Sequence, residues 1–283
     1  MATDTLTPSN PSNPSGSTDT NDPAGVTGVG MALRAYRYWA LRYRRTWRGT
    51  VVISVANPLL FLVAMGLGLG RLIGPDTAAL GGVDYLAFFA PGMLAAASMQ
   101  NGIIESAFPV SWSRRSGGAY PVAAGTPLEP EDILHGHALF MTVRVAMSAA
   151  AFLLVMVAFG AAQSPLVALT LPAATLTGMA FALPAAAWAV TLTNSEPVSG
   201  IFKWVVMPLY LFSGTFFAVE QLPEVLRPIV YVTPLWHGVD LCRTLSLGTA
   251  TWPTSLGHVA YLVALTVVGY LLCRRNYRRH LYA

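Results

Sequence analysis

Two short segments hold histidine and carboxylate side chains close enough together to act on one ligand. In the first, His135 and His137 follow Glu129, Glu131 and Asp132, and these residue types bind transition metals. A single His-x-His pattern is a weak metal motif, and neither a CxxC nor an HExxH spacing occurs in the chain. A polar cluster in a loop is therefore the better interpretation of this segment.

The second segment holds His237 and Asp240, whose i, i+3 spacing places them on one side of a helix. Such a pair could serve as the acid and base of a membrane enzyme that acts on a lipid-linked substrate. Neither a nucleophile nor a metal triad accompanies the pair in the sequence. A polytopic membrane enzyme is therefore kept as the alternative function.

The lysine content decides whether the chain can bind ATP in the usual way. A phosphate-binding P-loop needs lysine followed by serine or threonine, but Lys203 is the one lysine and stands between Phe202 and Trp204. The chain thus has no Walker-type ATP site and no cofactor of its own is expected. If ATP drives it, ATP and Mg²⁺ bind to another polypeptide.

The elements that position these residues are apolar helices. The chain of 283 residues is 54% hydrophobic and 11% charged, whereas a soluble domain has about 25% charged residues. Six runs are long enough to cross a bilayer, near 51–72, 85–108, 137–160, 166–190, 200–218 and 255–273. These features predict an all-α membrane protein with six transmembrane helices, in a domain that covers 51–274.

The N-terminal region divides into a tail and a basic segment. Residues 1–30 are polar and proline-rich, which predicts a disordered tail. Residues 31–50 predict an amphipathic helix in the headgroup plane, with aromatic residues on one side. The opposite side carries arginines, namely Arg34, Arg37, Arg42, Arg44, Arg45 and Arg48. A nucleic-acid partner is the rival explanation of this charge, but the apolar run that follows argues against it.

Arginine placement also predicts the orientation of the chain. Arginines precede the first apolar run, follow the second at Arg114 and Arg115, and follow the last within the tail at 275–283. Because basic residues favour the cytoplasmic side, both termini are predicted in the cytoplasm of a bacterial-type plasma membrane. The segments 73–84 and 219–254 then face outward.

Before the last apolar run, the stretch from Phe212 to Arg243 is apolar but interrupted by proline. A straight helix cannot continue through these prolines, yet the pieces are too apolar for an aqueous loop. The composition predicts short re-entrant helices that form an outer lid. The residues assigned to the lid are Gly214, Pro223, Pro234, His237 and Asp240. A long, partly buried extracellular loop is the alternative.

Polar residues inside the apolar runs form a third set of candidates. Asn101 and Glu105 lie in the second run, and Arg144 lies in the third. Because a charge in the bilayer is costly, Glu105 and Arg144 should pair, face an interior or reach the headgroups. The sequence leaves open whether this patch stabilises packing or lines a transport pathway.

Several motifs together resemble one family. They are N-P-L-L-F-L from Asn57, T-P-L-E-P-E-D-I-L-H-G from Thr126, F-S-G-x-F-F from Phe212 and T-P-L-x-H-x-V-D from Thr233. The chain resembles the type-2 ABC exporter permeases, and within them the branch of the nodulation lipo-oligosaccharide exporters and daunorubicin-resistance permeases. The resemblance covers roughly residues 31 to 280.

The resemblance implies a permease that moves an amphipathic substrate, such as a drug-like compound, a lipid or a lipid-linked oligosaccharide, out of the cytoplasm. It implies two partners, a cytoplasmic ABC ATPase and a second permease chain, which is a copy or a close relative. It also implies that the loop between Pro109 and Gly136 contains a coupling helix docked to the ATPase. The residues that match it are Thr126, Pro127, Leu128, Glu129, Asp132 and Ile133.

Overall fold

A computed structural model describes residues 28–64, 68, 83–194 and 196–281, and this part is helical without a strand. The helices are α1 Gly28–Val63, α2 Tyr85–Arg114, α3 Ala119–Ala123, α4 Pro130–Ala158, α5 Thr170–Ala189, α6 Glu196–Ile201, α7 Met207–Phe212, α8 Arg227–Val232, α9 Pro234–Leu247 and α10 Trp252–His280. A 3₁₀ turn at Pro165–Leu169 leads into α5. The predicted tail up to residue 27 and most of 65–82 lie outside the described residues; α1 begins at Gly28, inside the segment 1–30.

One helix, α1, covers the segment predicted at 31–50 and the described start of the run predicted at 51–72, whose end lies largely outside the described residues. It is continuous through residue 50, so the structure marks no boundary there. The six predicted arginines are exposed. The other side of the helix does not simply face lipid, because Ala35 and Trp39 are buried and Trp39 stacks on His137 of α4 with ring centroids 4.3 Å apart.

Three helical segments of the described part are long and apolar enough to cross a membrane. They are Pro130–Ala158, Pro165–Ala189 and Trp252–His280. They match the third, fourth and sixth predicted runs. The first segment begins before the third run, and the last extends beyond the sixth run at both ends. Helix α2 begins at Tyr85 as predicted and continues to Arg114. The full set of six spans stays a prediction.

The fifth predicted run, 200–218, differs from the structure. Helix α6 passes through a π-helical segment, Phe202–Val206, into α7, which ends at Phe212. Pro208 has no N–H to donate to the carbonyl of Trp204, and a widened turn is a common way to accommodate such a gap. The helix stops early because Gly214 has φ 78°, a left-handed conformation that glycine adopts without steric cost.

Helix α5 lies at the centre of the fold and packs against α2, α4, α9 and α10. Its buried side is rich in alanine, which allows neighbouring backbones to approach closely. Gly102 of α2 lies directly against Gly178 of α5, because a Cβ on Gly102 would lie 2.3 Å from the carbonyl oxygen of Gly178. Small residues thus allow close packing between the helices that carry the candidate site.

Replacing Gly136 with alanine should destabilise the contact between α1 and α4. The added Cβ would lie 2.5 Å from the Cβ of Ala35 and 2.6 Å from the carbonyl oxygen of Ala32. Such overpacking typically costs about 1–3 kcal/mol. Gly257→Ala is the matched control, since open space surrounds Gly257 in α10 and alanine favours a helix by up to about 1 kcal/mol. The midpoint temperature of thermal unfolding in detergent should therefore be lower than in the wild type for Gly136→Ala only. Equal midpoints in the two variants would contradict this packing.

Candidate functional site

The loop predicted to dock an ATPase is a short helix, a turn and the start of α4. The turn is held by the Thr126 hydroxyl, which donates to the carbonyl of Ala123 at 2.7 Å. Glu129 is the N-cap of α4, and its side chain and that of Asp132 form a reciprocal capping box. The Glu129 backbone N–H donates to Asp132 Oδ2 at 3.1 Å. The acidic residues therefore stabilise the first turn of α4 and give the loop a defined shape.

The six residues matched to a coupling helix differ in accessibility. Thr126, Pro127 and Glu129 are exposed, and Leu128 and Asp132 are partly buried. Ile133 is the exception, because its side chain is 5% exposed and belongs to the core. Ile133 therefore faces the core from the first turn of α4, and its part in coupling stays a prediction.

Residues of α10, the last helix, contact the same loop. Glu131 forms an ion pair with Arg274 at 2.9 Å and a second with Arg278. His135 Nε2 and the Tyr270 hydroxyl are hydrogen-bonded at 2.7 Å, and their rings are stacked. The predicted docking loop, from Ala119 to the first turns of α4, is therefore attached to α10.

These contacts also explain the histidines of the first segment. His137 is buried, stacks on Trp39 and has Nε2 3.2 Å from the carbonyl oxygen of Glu105, whereas His135 is exposed and turned toward α10. Among the residues that the structure describes, no group of three or more His, Cys, Asp or Glu is placed to hold a metal. The pattern near Glu129 is thus a set of separate structural contacts.

A second polar cluster joins three helices. Arg144 of α4 donates through Nη2 and Nε to Glu105 Oε1 of α2, at 2.7 and 3.1 Å. It also donates to the Tyr43 hydroxyl of α1 at 2.8 Å. One turn away, Asn101 Nδ2 donates to Ser148 Oγ at 2.7 Å. The side chain of Arg144 is 5% exposed, so it turns into the protein and pairs rather than reaching toward the headgroups.

The stretch from Phe212 to Arg243 consists of short helical pieces. A 3₁₀ turn at Val219–Gln221 precedes α8 and α9. Pro228 and Pro234 lie in the first turns of these two helices, where a missing N–H costs nothing. The Thr233 side chain caps α9 by accepting from the N–H of Trp236. The prolines therefore start new helices, as the predicted breaks require.

Arg243 of α9 joins this stretch to α2. Its Nε donates to the carbonyl of Phe88 at 3.0 Å, and Nη2 donates to the carbonyl of Gly214 at 2.7 Å. The guanidinium carbon lies 3.7 Å from the centroid of the Phe88 ring. Burial lowers the pKa of Arg243 to about 10, so the group stays protonated at neutral pH. A cation thus fixes the left-handed turn after α7.

His237 and Asp240 are linked through a residue that sequence reasoning did not select, His258 of α10. His258 Nε2 lies 3.1 Å from Asp240 Oδ2, and the two Nδ1 atoms of His237 and His258 lie 2.8 Å apart. Burial and the neighbouring His258 lower the pKa of His237, so it is neutral at neutral pH. Tyr261 stacks on His237 with centroids 4.0 Å apart, and its hydroxyl donates to the carbonyl of Val232. These contacts join α9 and the end of α8 to α10.

Sequence reasoning missed His258, Arg243 and the arginines of α10 as parts of the site. One signal was present for His258, because it stands near the start of an apolar run where a titratable side chain needs a partner. Arg274 and Arg278 are spaced i, i+4, which places both on one side of α10. Their acidic partner, Glu131, is more than 140 residues away, and pairing over that separation has no local signal.

The long apolar helices are those of a multi-pass membrane protein. The family model described as ABC-2 type transporter matches residues 35–247. The chain belongs to the ABC-2 type transporter family and is a membrane permease.

Curated relatives agree with this family. Nodulation protein J of Rhizobium leguminosarum bv. trifolii is 29% identical over 254 residues, covering 86% of this chain and 94% of the relative. Nodulation protein J of Rhizobium meliloti (strain 1021) is 26% identical over 254 residues, again covering 86% of this chain and 94% of the relative. The corresponding protein of Bradyrhizobium diazoefficiens is 26% identical over 262 residues, covering 89% and 96%. The resemblance found in the motifs is thereby confirmed.

Proposed function

We propose that this chain is the transmembrane permease subunit of an ATP-driven exporter. Its substrate class is amphipathic, which includes drug-like compounds, lipids and lipid-linked oligosaccharides. The observation that carries the proposal is the docking loop: exposed Thr126, Pro127 and Glu129 stand on a capped helix start, in a chain without a Walker lysine. A partner that binds ATP and Mg²⁺ would use this loop to act on the membrane helices.

The transport step needs no catalytic residue in the permease. Two permease chains, identical or closely related, would enclose the pathway, and nucleotide binding would shift their balance between an inward-open and an outward-open state. The short helices between Phe212 and Arg243 form the outer lid in this scheme. Their broken backbone suits a re-entrant position, since Arg243 and Arg227 donate to carbonyls that a continuous helix would satisfy itself.

Purification should separate the permease from ATP hydrolysis. The tagged chain, extracted in mild detergent from its native host, should co-purify with an ABC ATPase and hydrolyse ATP. The same chain expressed without that partner should show no turnover above a buffer blank, because it lacks a P-loop. ATP turnover by the isolated chain, or the absence of any ATPase from the native preparation, would refute the proposed function.

The proposed orientation places both termini and the docking loop in the cytoplasm. It is supported by the basic residues of α1 and of the end of α10, which favour the cytoplasmic side. In intact cells, an impermeant maleimide should label Gln221→Cys but not Ser116→Cys, and both positions are exposed in the structure. The native cysteines, Cys242 and Cys273, are buried and set the background. The reverse labelling pattern would overturn the orientation.

A further inference from the structure

Helix α10 touches both candidate sites, although they lie at opposite ends of the helix. Near one end, His258 and Tyr261 contact α9 and the end of α8. Near the other end, Tyr270, Arg274 and Arg278 contact the docking loop. His258 and Arg274 are 16 positions apart, so about 24 Å of helix at about 1.5 Å per residue separates the two sets of contacts.

The contacts at the docking end come from several parts of the loop. Glu131 in the first turn of α4 pairs with two arginines, and His135 one turn later bonds to Tyr270. Tyr120 of α3 packs edge-on against Tyr277, with their hydroxyls 3.4 Å apart. A displacement of the loop therefore cannot leave α10 in place without breaking all of these contacts.

The contacts at the lid end are equally specific. Asp240 and His237, one turn apart on α9, both meet His258, and Trp236 lies edge-on to His258 with centroids 5.2 Å apart. The Tyr261 hydroxyl donates to the carbonyl of Val232 at the end of α8. A shift of α10 along its axis is thus transferred to both helices of the lid.

Between its ends, α10 is attached along one narrow stripe. Its buried residues are His258, Leu262, Gly269, Cys273 and Tyr277, which repeat at helical spacing, whereas most of its remaining apolar side chains are exposed. Gly269 lies directly against Pro184 of α5. A helix that is buried along one stripe has few side chains to repack when it slides, as packed helices do in shear motions.

We propose that α10 transmits motion of the docking loop to the outer lid, with the Glu131–Arg274–Arg278 contact and the Asp240–His258–His237 contact as its two attachment points. The proposal rests on the proposed function, which supplies the motion at the loop. Glu131 and His258 are positioning residues here, because each acts through the helix and not on the substrate. Coupling of this kind links two equilibria, so loosening one attachment also changes the other end.

A native thiol supplies the readout. Cys242 of α9 is fully buried against α5, so its alkylation requires α9 to open, and mass spectrometry separates its peptide from that of Cys273. In the full chain in lipid nanodiscs without an ATPase, Glu131→Gln should raise the rate of Cys242 alkylation about fivefold or more. Asp240→Asn, which loosens α9 directly, is the positive control.

The matched control is Arg275→Gln with Arg279→Gln. These arginines lie on the same helix and are exposed, and they do not pair with Glu131. This control should leave the Cys242 rate within about twofold of the wild type. The charge-reversed variant Glu131→Arg, Arg274→Glu, Arg278→Glu should restore slow alkylation, which a general loss of folding would not. An unchanged rate in Glu131→Gln, or an equal rise in the control, would overturn the proposal.

The complex with its ATPase gives the second measurement. Nucleotide should change the Cys242 rate in the wild type but not in Glu131→Gln, while both chains bind the same amount of ATPase. Loss of ATPase binding in Glu131→Gln would overturn the proposal by making Glu131 part of the docking surface. If nucleotide has no effect on the wild type, the proposed function fails, and the nanodisc measurement on the chain alone still decides the role of α10.

Discussion

Replacing Glu105 with leucine should destabilise the folded chain by about 3–5 kcal/mol. The substitution leaves the Arg144 guanidinium, which is 5% exposed, without its carboxylate partner inside the helix bundle. The Tyr43 hydroxyl remains as a hydrogen-bond acceptor but supplies no opposite charge. Arg144→Met should cost a similar amount, because it leaves Glu105 unpaired. Denaturant unfolding in micelles, followed by tryptophan fluorescence and gel filtration, measures both changes.

The double variant separates charge pairing from packing. Glu105→Leu combined with Arg144→Met removes both charges and keeps much of the side-chain volume, so most of the lost stability should return. Arg275→Met on the exposed side of α10 is the control for a lost arginine and should change stability by less than about 0.5 kcal/mol. If the double variant is as unstable as the sum of the single variants, the two side chains do not act as a pair.

Reversing the charge of Glu129 should reduce association with the ATPase more than tenfold. Glu129 is exposed at the N-cap of α4, and a partner surface that accepts its carboxylate would oppose an arginine. The amount of ATPase that co-purifies with Glu129→Arg, relative to permease, measures the effect. ATP-driven export should fall in parallel.

The control for this experiment follows from the second role of Glu129. Its side chain also caps α4, so Glu129→Arg removes a cap worth about 1 kcal/mol. Glu129→Ser keeps a good N-cap residue and removes only the carboxylate, so it should fold like the wild type and lose a smaller part of the binding. Equal ATPase content in all three proteins would show that Glu129 lies outside the docking surface.

Prediction from the sequence succeeded for elements whose cause is local. The apolar runs at 137–160, 166–190 and 255–273 correspond to helices, because about 20 consecutive apolar residues have few other structures available. Pro228 and Pro234, in the stretch after Phe212, lie in the first turns of α8 and α9. The end of the fifth run was placed at 218 instead of Phe212, because hydropathy does not register the left-handed turn at Gly214.

The site was predicted only where one segment contained the whole pattern. Glu129 and Asp132 could be selected as the start of a helix, since a capping box is a contact between residues three positions apart. The inward direction of Ile133 and the burial of Trp39 depend on how α1 packs against α4. An amphipathic helix has the same sequence pattern whether a neighbouring helix or a lipid surface covers its apolar side.

The sequence by itself determined that this chain is a helical membrane protein without a Walker-type lysine motif, since apolar content and short motifs are properties of composition and local spacing. Its motifs also identified the family. The tertiary structure decided which charges meet: Arg144 with Glu105, His258 with Asp240, and Glu131 with Arg274. Each of these pairs joins different helices, and only the packing of those helices around α5 brings the partners within reach.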